Sequence, residues 1–186
     1  MSDKLSQQDV QRLLTDPSPT TRAEMAGKVA QHFAATSLSA SERVLAEDIV
    51  RIMARDVATR VRAALAESLK TNSGIPRDIA MSMARDVEEV SLPFIEVSTV
   101  LTDEDLVEII RSGSSEKQTA VAKRPNVTES VADALVERGS EKAVATLMSN
   151  DTAAIGEKAL VKALDRFPDS EAVAAPMVNR AKLPVT

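Results

Sequence analysis

The sequence predicts an all-α protein, an α-solenoid of about five to six helical hairpin repeats, on three observations. First, its apolar fraction is 44%, supplied by Ala, Val, Leu and Ile, with aromatics at only 2%. That composition, with 28 Ala, suits close packing of helices around a thin core rather than a deep aromatic centre. Second, no stretch sustains period-two alternation of β-branched residues, so no sheet is expected. Third, the chain repeats itself. MARDVATRVRAALAE (53–67) and MARDVEEVSLPFIEV (83–97) share their first five residues and lie 30 apart. Looser copies are LLTDPSPTTRAEMA (13–26), IIRSGSSEKQTAVA (109–122) and LVERGSEKAVATLM (135–148). Each reads as an apolar helix end, a polar or Gly-containing turn, and a second helix carrying Ala and Val.

Taken along the chain, the elements carry their own boundary signals. Pro19 behind Ser18 suits a first helical position following an N-cap. In SASERVLAEDIVRIMARD, Ser39 and Glu42 form a capping box, and Leu45, Ile49, Ile52 and Met53 recur with the period of a buried helix face. Pro76 opens the helix IPRDIAMSMARD. Pro93 either lies in the first turn of a helix capped by Ser91 or kinks a longer helix beginning near Asp86; the second reading is preferred.

In LTDEDLVEIIRSG, Thr102 caps with Asp105, and Leu101 and Leu106 flank that cap as a hydrophobic staple. Leu106, Ile109 and Ile110 mark one apolar face, Arg111 falls in the last turn, and Gly113 ends the helix. Pro125 sits in a loop before Asn126. NVTESVADALVERG then repeats the grammar with Val131, Ala134, Leu135, Arg138 and Gly139.

MARDVATRVRAALAE and its relatives resemble the HEAT-like helical repeats, which carry Asp in the turn, then Val and Arg, then Ala on the second helix. Asp56, Val61, Arg62 and Ala66 match that pattern. The run ERVLAEDIVRIMARDVATRVRAALAESL, with LTDEDLVEIIRSGS and AKRPNVTESVADALVERG, also resembles a bacterial conserved family of unknown function, over roughly residues 12 to 160. The resemblance implies a HEAT-like α-solenoid in a cytoplasmic bacterial protein and brings no catalytic residues with it. Two departures stand out. Ser112-Gly113 and Gly139 replace the turn Asp in later copies, and VNRAKLPVT at the C-terminus echoes AKRPNVTES, the start of an earlier repeat. Residues 1–186 are therefore read as one helical repeat domain, the N-terminal part of a longer protein truncated at Thr186.

Composition removes several function classes. Without Cys there is no disulfide framework, thiol nucleophile or thiolate metal site. With one His, a His-rich zinc site cannot form, and any Ser-His-Asp triad would need His32. A net charge of -5 with only three Phe offers neither the basic field nor the stacking surfaces of a nucleic-acid binder. The start, MSDKLSQQDVQRLL, has no apolar stretch behind a basic one, and no window approaches a membrane span; a cytoplasmic location is expected, with no membrane partner.

One set of side chains recurs in register. Arg55, Arg85, Arg111 and Arg138 precede successive turns at spacings of 30, 26 and 27, and Arg166 follows 28 later. A row of guanidiniums on one edge could grip carboxylate or phosphate. The preferred reading is that each sits at a helix C-terminus to suit the helix dipole, with neighbouring acids such as Asp56 or Asp86 as partners, because that explains the position within every repeat. His32, beside Phe33, reads as a helix-terminal residue. Asp103, Glu104 and Asp105 fall at a helix start, Glu88 and Glu89 read as first-turn acids, and Met81 and Met83 read as core filling. No catalytic residue, metal or cofactor is expected. The expected function is a non-enzymatic scaffold or regulatory module binding an unidentified protein partner. A small-ligand or second-messenger sensor in a larger protein, or a HEAT-like nucleic-acid-binding enzyme, are the alternatives. The sequence leaves the oligomeric state open.

Overall fold

The computed structural model describes residues 7–34 and 38–178, and among these every regular element is an α-helix. The described chain contains α1 (Gln7–Thr15), α2 (Pro19–Ala34), α3 (Ala40–Met53), α4 (Thr59–Leu69), α5 (Arg77–Arg85) and α6 (Glu88–Val97). There follow α7 (Asp103–Ser112), α8 (Ser115–Ala122), α9 (Glu129–Arg138), α10 (Glu141–Met148), α11 (Glu157–Arg166) and α12 (Glu171–Val178). The C-terminal echo VNRAKLPVT lies, beyond Val178, outside the described residues. Two compact units form, one of Met1–Phe94 with Ser98–Val100, the other of Ile95–Val97 with Leu101–Thr186.

In the first unit α2 packs along α4 and is flanked by α1 and α3. Its core is built from Met25, Phe33, Val50, Val61, Leu65, Leu69, Ile79 and Met83, all under one-tenth exposed. Burying each such aliphatic side chain contributes about 1.5–3 kcal/mol. The second unit has two layers: α7 packs on α9 and α9 on α11, while α8 packs on α10 and α10 on α12. Ile110, Val121, Leu135, Val144, Leu147 and Met148 fill the space between them.

The capping signals hold. Pro19 opens α2, and the Ser18 Oγ accepts from the Thr21 N–H at 3.3 Å. Ser39–Glu42 and Thr102–Asp105 both form capping boxes. Thr102, Ser114, Thr128 and Ser140 each accept a hydrogen bond from the backbone N–H three residues on, which fixes the start of α7, α8, α9 and α10. Helix α6 begins at Glu88 and runs through Pro93, the arrangement preferred from the sequence, and Pro93 has no N–H to give to the Glu89 carbonyl.

One expectation needs correction. On α3 the buried residues are Ala46 and Val50, whereas Leu45 and Ile52 are 62% and 73% exposed. The larger apolar residues face outward because the inward face meets α2 and α4, where small side chains let the helices approach. Gly113 and Gly139 end α7 and α9 as expected, with φ values of -88° and -66°. They are glycines because a Cβ would lie 2.5 Å from the Ile109 carbonyl oxygen and 2.4 Å from that of Leu135.

Clamped turns and a candidate binding cleft

The same position in successive second helices holds the turns in place. Arg22 is the fourth residue of α2, Arg62 the fourth of α4 and Gln118 the fourth of α8. Each reaches back to its own turn and forward to the next hairpin. Arg22 donates to the Pro17 carbonyl and, through Nε and Nη2, to both oxygens of Asp56 at 2.8 and 2.9 Å. Arg62 donates to the Asp56 carbonyl at 2.7 Å and to both oxygens of Asp86 at 2.6 and 2.9 Å. Gln118 donates from Nε2 to the Ile110 carbonyl and accepts at Oε1 from the Ser140 N–H. Two parallel N–H···O bonds to a carboxylate are stronger and more directional than one. Asp56 also accepts from the Ala58 N–H at 2.8 Å, next to the first turn of α4, where a negative charge suits the helix dipole.

The fourth residue of α6 is Ser91, fully buried, and its Oγ has no hydrogen-bond partner. Elsewhere in the second unit, turn residues serve as clamps. Asn150 Nδ2 donates to the carbonyls of Ala122 and Arg124, each at 2.8 Å. Arg124 itself donates to the Ile95 carbonyl, and burial pushes its guanidinium below the usual arginine range, against the opposing field of Asp103.

In the first unit the two MARDV turns border an open cleft of about 640 Å³. Arg55, Arg62 and Arg85 line it together with Asp56, Asp78 and Asp86, over a floor that includes Ala54, Met81 and Ser82. All three carboxylates are engaged by guanidiniums: Asp56 by Arg22, Asp86 by Arg62, and Asp78 by Arg51 at 2.9 Å. Hydrogen bonding from Arg22 holds the Asp56 carboxyl below the ordinary carboxylate range, outweighing the opposing effect of burial. Arg51 does the same for Asp78. Hydrogen bonds to Asp56, Asp78 and Asp86 raise Arg22, Arg51 and Arg62 in return.

The arginines singled out from the sequence thus fall in different settings. Arg55 and Arg85 are exposed and share the cleft of the first unit. Arg111 lines a separate cleft in the second unit, beside Asp103, Glu104 and Glu108. Arg138 ends α9 and is exposed. The fifth in the series, Arg166, serves as a cap: it donates to the carbonyls of Val136 and Gly139 at the end of the preceding first helix, with its guanidinium carbon 4.8 Å from the Phe167 ring centre. The expected acids are present, but the bidentate partners of Asp56 and Asp86 are Arg22 and Arg62, from the preceding hairpin.

Sequence reasoning passed over Arg22, Arg51 and the valines of the two turns. Val57 is 93% and Val87 51% exposed, although both occupy the same place in the MARDV repeat. The signal was in the repeat itself, which keeps Val at the same turn position in both copies. His32 lies in the last turn of α2, and Met81 and Met83 are buried. Among the described residues, no three His, Asp or Glu side chains are placed to hold a metal ion, and no helix is long and apolar enough to cross a membrane.

Fold and site together define an all-helical protein whose helix ends are tied to one another by polar side chains. Residues 90–186 match the model of a family described as "Uncharacterised protein conserved in bacteria (DUF2336)", and the chain belongs to that family. No curated protein and no solved structure matches the chain.

Proposed function

We propose that the chain is a non-enzymatic protein-interaction module built on a HEAT-like α-solenoid. The solenoid reading is supported by the two-layer packing of the second unit and by clamps recurring at one helix position in α2, α4 and α8. The observation that carries the functional reading is the outward face of α3. Val44, Leu45 and Ile52 are 61%, 62% and 73% exposed on one helix, and the fold makes no use of them. Exposed apolar side chains grouped on one element mark interaction surfaces, whereas scattered single ones need no explanation.

The test is affinity purification of the full chain from native lysate of the bacterium that encodes it. A partner recovered in stoichiometric amount is expected from the parent and not from a Val44→Ser, Leu45→Glu, Ile52→Glu variant of unchanged helicity. Equal recovery by both would remove α3 from the interface. Recovery of the chain alone at low and physiological salt would defeat the interaction reading.

A further inference from the structure

We infer that the outer face of α11 pairs with the same face of a second copy of this chain, antiparallel about a twofold axis. The inference goes beyond the reading built on α3, which lies in the other unit.

Equivalent positions in the second unit fare differently when a helix follows and when none does. In α7, α9 and α11, each ten residues long, the fifth residues are Val107, Asp133 and Val161, and the eighth are Ile110, Val136 and Leu164. Val107 lines the cleft toward α9, while Asp133 and Val136 line the one toward α11, so both positions face the next helix of the layer. Ile110 and Val136 are wholly buried there, whereas Val161 and Leu164 are 53% and 43% exposed. The other layer repeats the contrast. Ala122, Met148 and Val178 close α8, α10 and α12; the first two are wholly buried and the third is 77% exposed.

Stacked repeats ordinarily close with a polar outer face. Here the exposed helix carries Val161 where the covered one carries Asp133, the reverse of a cap. The face continues a helix-on-helix interface already made twice, α7 on α9 and α9 on α11, so its shape suits another helix.

Charge selects which helix. Lys158 and Asp165 flank Val161 and Leu164, and both are exposed. They stand seven positions apart, about two turns, and so lie on one side of the apolar stripe. In an antiparallel pair related by a twofold axis, each side of the stripe meets its own counterpart. Lys158 of each copy therefore meets Asp165 of the other, and Val161 and Leu164 close between the two ion pairs. Lys158 stands at the margin of the cleft toward α9, where Lys162 lies beside Asp133 and Glu137. One α11 thus holds, in the right order, both the apolar stripe and the charges that its own copy requires.

Sedimentation velocity of the full chain reads the association. Dimers are expected at submillimolar concentration, weakened about tenfold or more by Leu164→Glu, which sets carboxylates against the stripe. Lys158→Glu and Asp165→Lys are each expected to dimerise more weakly than the parent, because each places like charges opposite one another twice. Mixed in equal amounts, the two variants are expected to dimerise as the parent does, since every contact is again between opposite charges. All three positions are exposed, and circular dichroism checks that helicity is unchanged. A parent that stays monomeric at submillimolar concentration overturns the inference. So does a Leu164→Glu variant that dimerises as well as the parent, or a mixture that associates no better than its components. Capture of a different protein through α3 is read separately, so either reading can fail while the other stands.

Discussion

At the scale of single residues, the fold depends on a few side chains whose role comes from a neighbour's geometry. Gly139 shows this well, because a methyl group there would meet the Leu135 carbonyl oxygen at 2.4 Å. Gly139→Ala is expected to destabilise by about 1–3 kcal/mol, the usual cost of forced overpacking, read as a shift in urea midpoint. Ser91→Ala is expected to stabilise by about 1 kcal/mol, since it removes a buried hydroxyl with no partner. The Asp56 carboxyl is held below its ordinary value in the fold, so the unfolded chain takes up its proton at a higher pH. The stability it contributes is complete above about pH 4 and is lost as the pH falls toward the lowered folded value. Asp56→Asn should therefore be less stable than the parent at neutral pH, with the gap closing in acid. A gap that persists unchanged at low pH would mean that the carboxylate charge is not what holds the turn.

At the scale of elements, helix boundaries were legible in the sequence because capping is local. Ser39 and Thr102 bond backbone groups three residues away, so the pattern alone locates them. The buried face of α3 was not legible. Val44, Leu45, Ile49 and Ile52 offer two overlapping apolar stripes, and only packing against α2 and α4 chooses Ala46 and Val50. The choice can be checked directly. Leu45→Glu with Ile52→Glu is expected to change stability by no more than about 0.5 kcal/mol. Leu65→Ala, at a fully buried position on α4, is expected to cost about 2–5 kcal/mol. The clamps were half legible. Arg62 stood out through its repeat, but its partner Asp86 lies 24 residues away and is set by how hairpins meet. Gln118 was invisible because a lone glutamine in a helix carries no signal until its two backbone partners are in place. Its replacement by Ala is expected to cost about 1–3 kcal/mol, as both the Ile110 carbonyl and the Ser140 N–H lose a buried partner.

At the scale of the whole molecule, the all-helical class followed from composition and period, while the division into two units did not. The exchange of arginine–aspartate clamps in one unit for Gln118 and Asn150 in the other leaves the helical pattern unchanged, so periodicity alone cannot register it. The arginine row was read as one feature, and the fold gives its members different surroundings: Arg55 and Arg85 beside a cleft, Arg111 among acids, Arg166 capping a helix. The proposed interaction function rests on the outward apolar face of α3, where Val44, Leu45 and Ile52 are exposed. Amide hydrogen exchange over the full chain, with and without the co-purified partner, tests that claim most directly. Slowed exchange concentrated in α3 is the predicted result. Protection confined to other helices, with α3 exchanging as in the free chain, would contradict it.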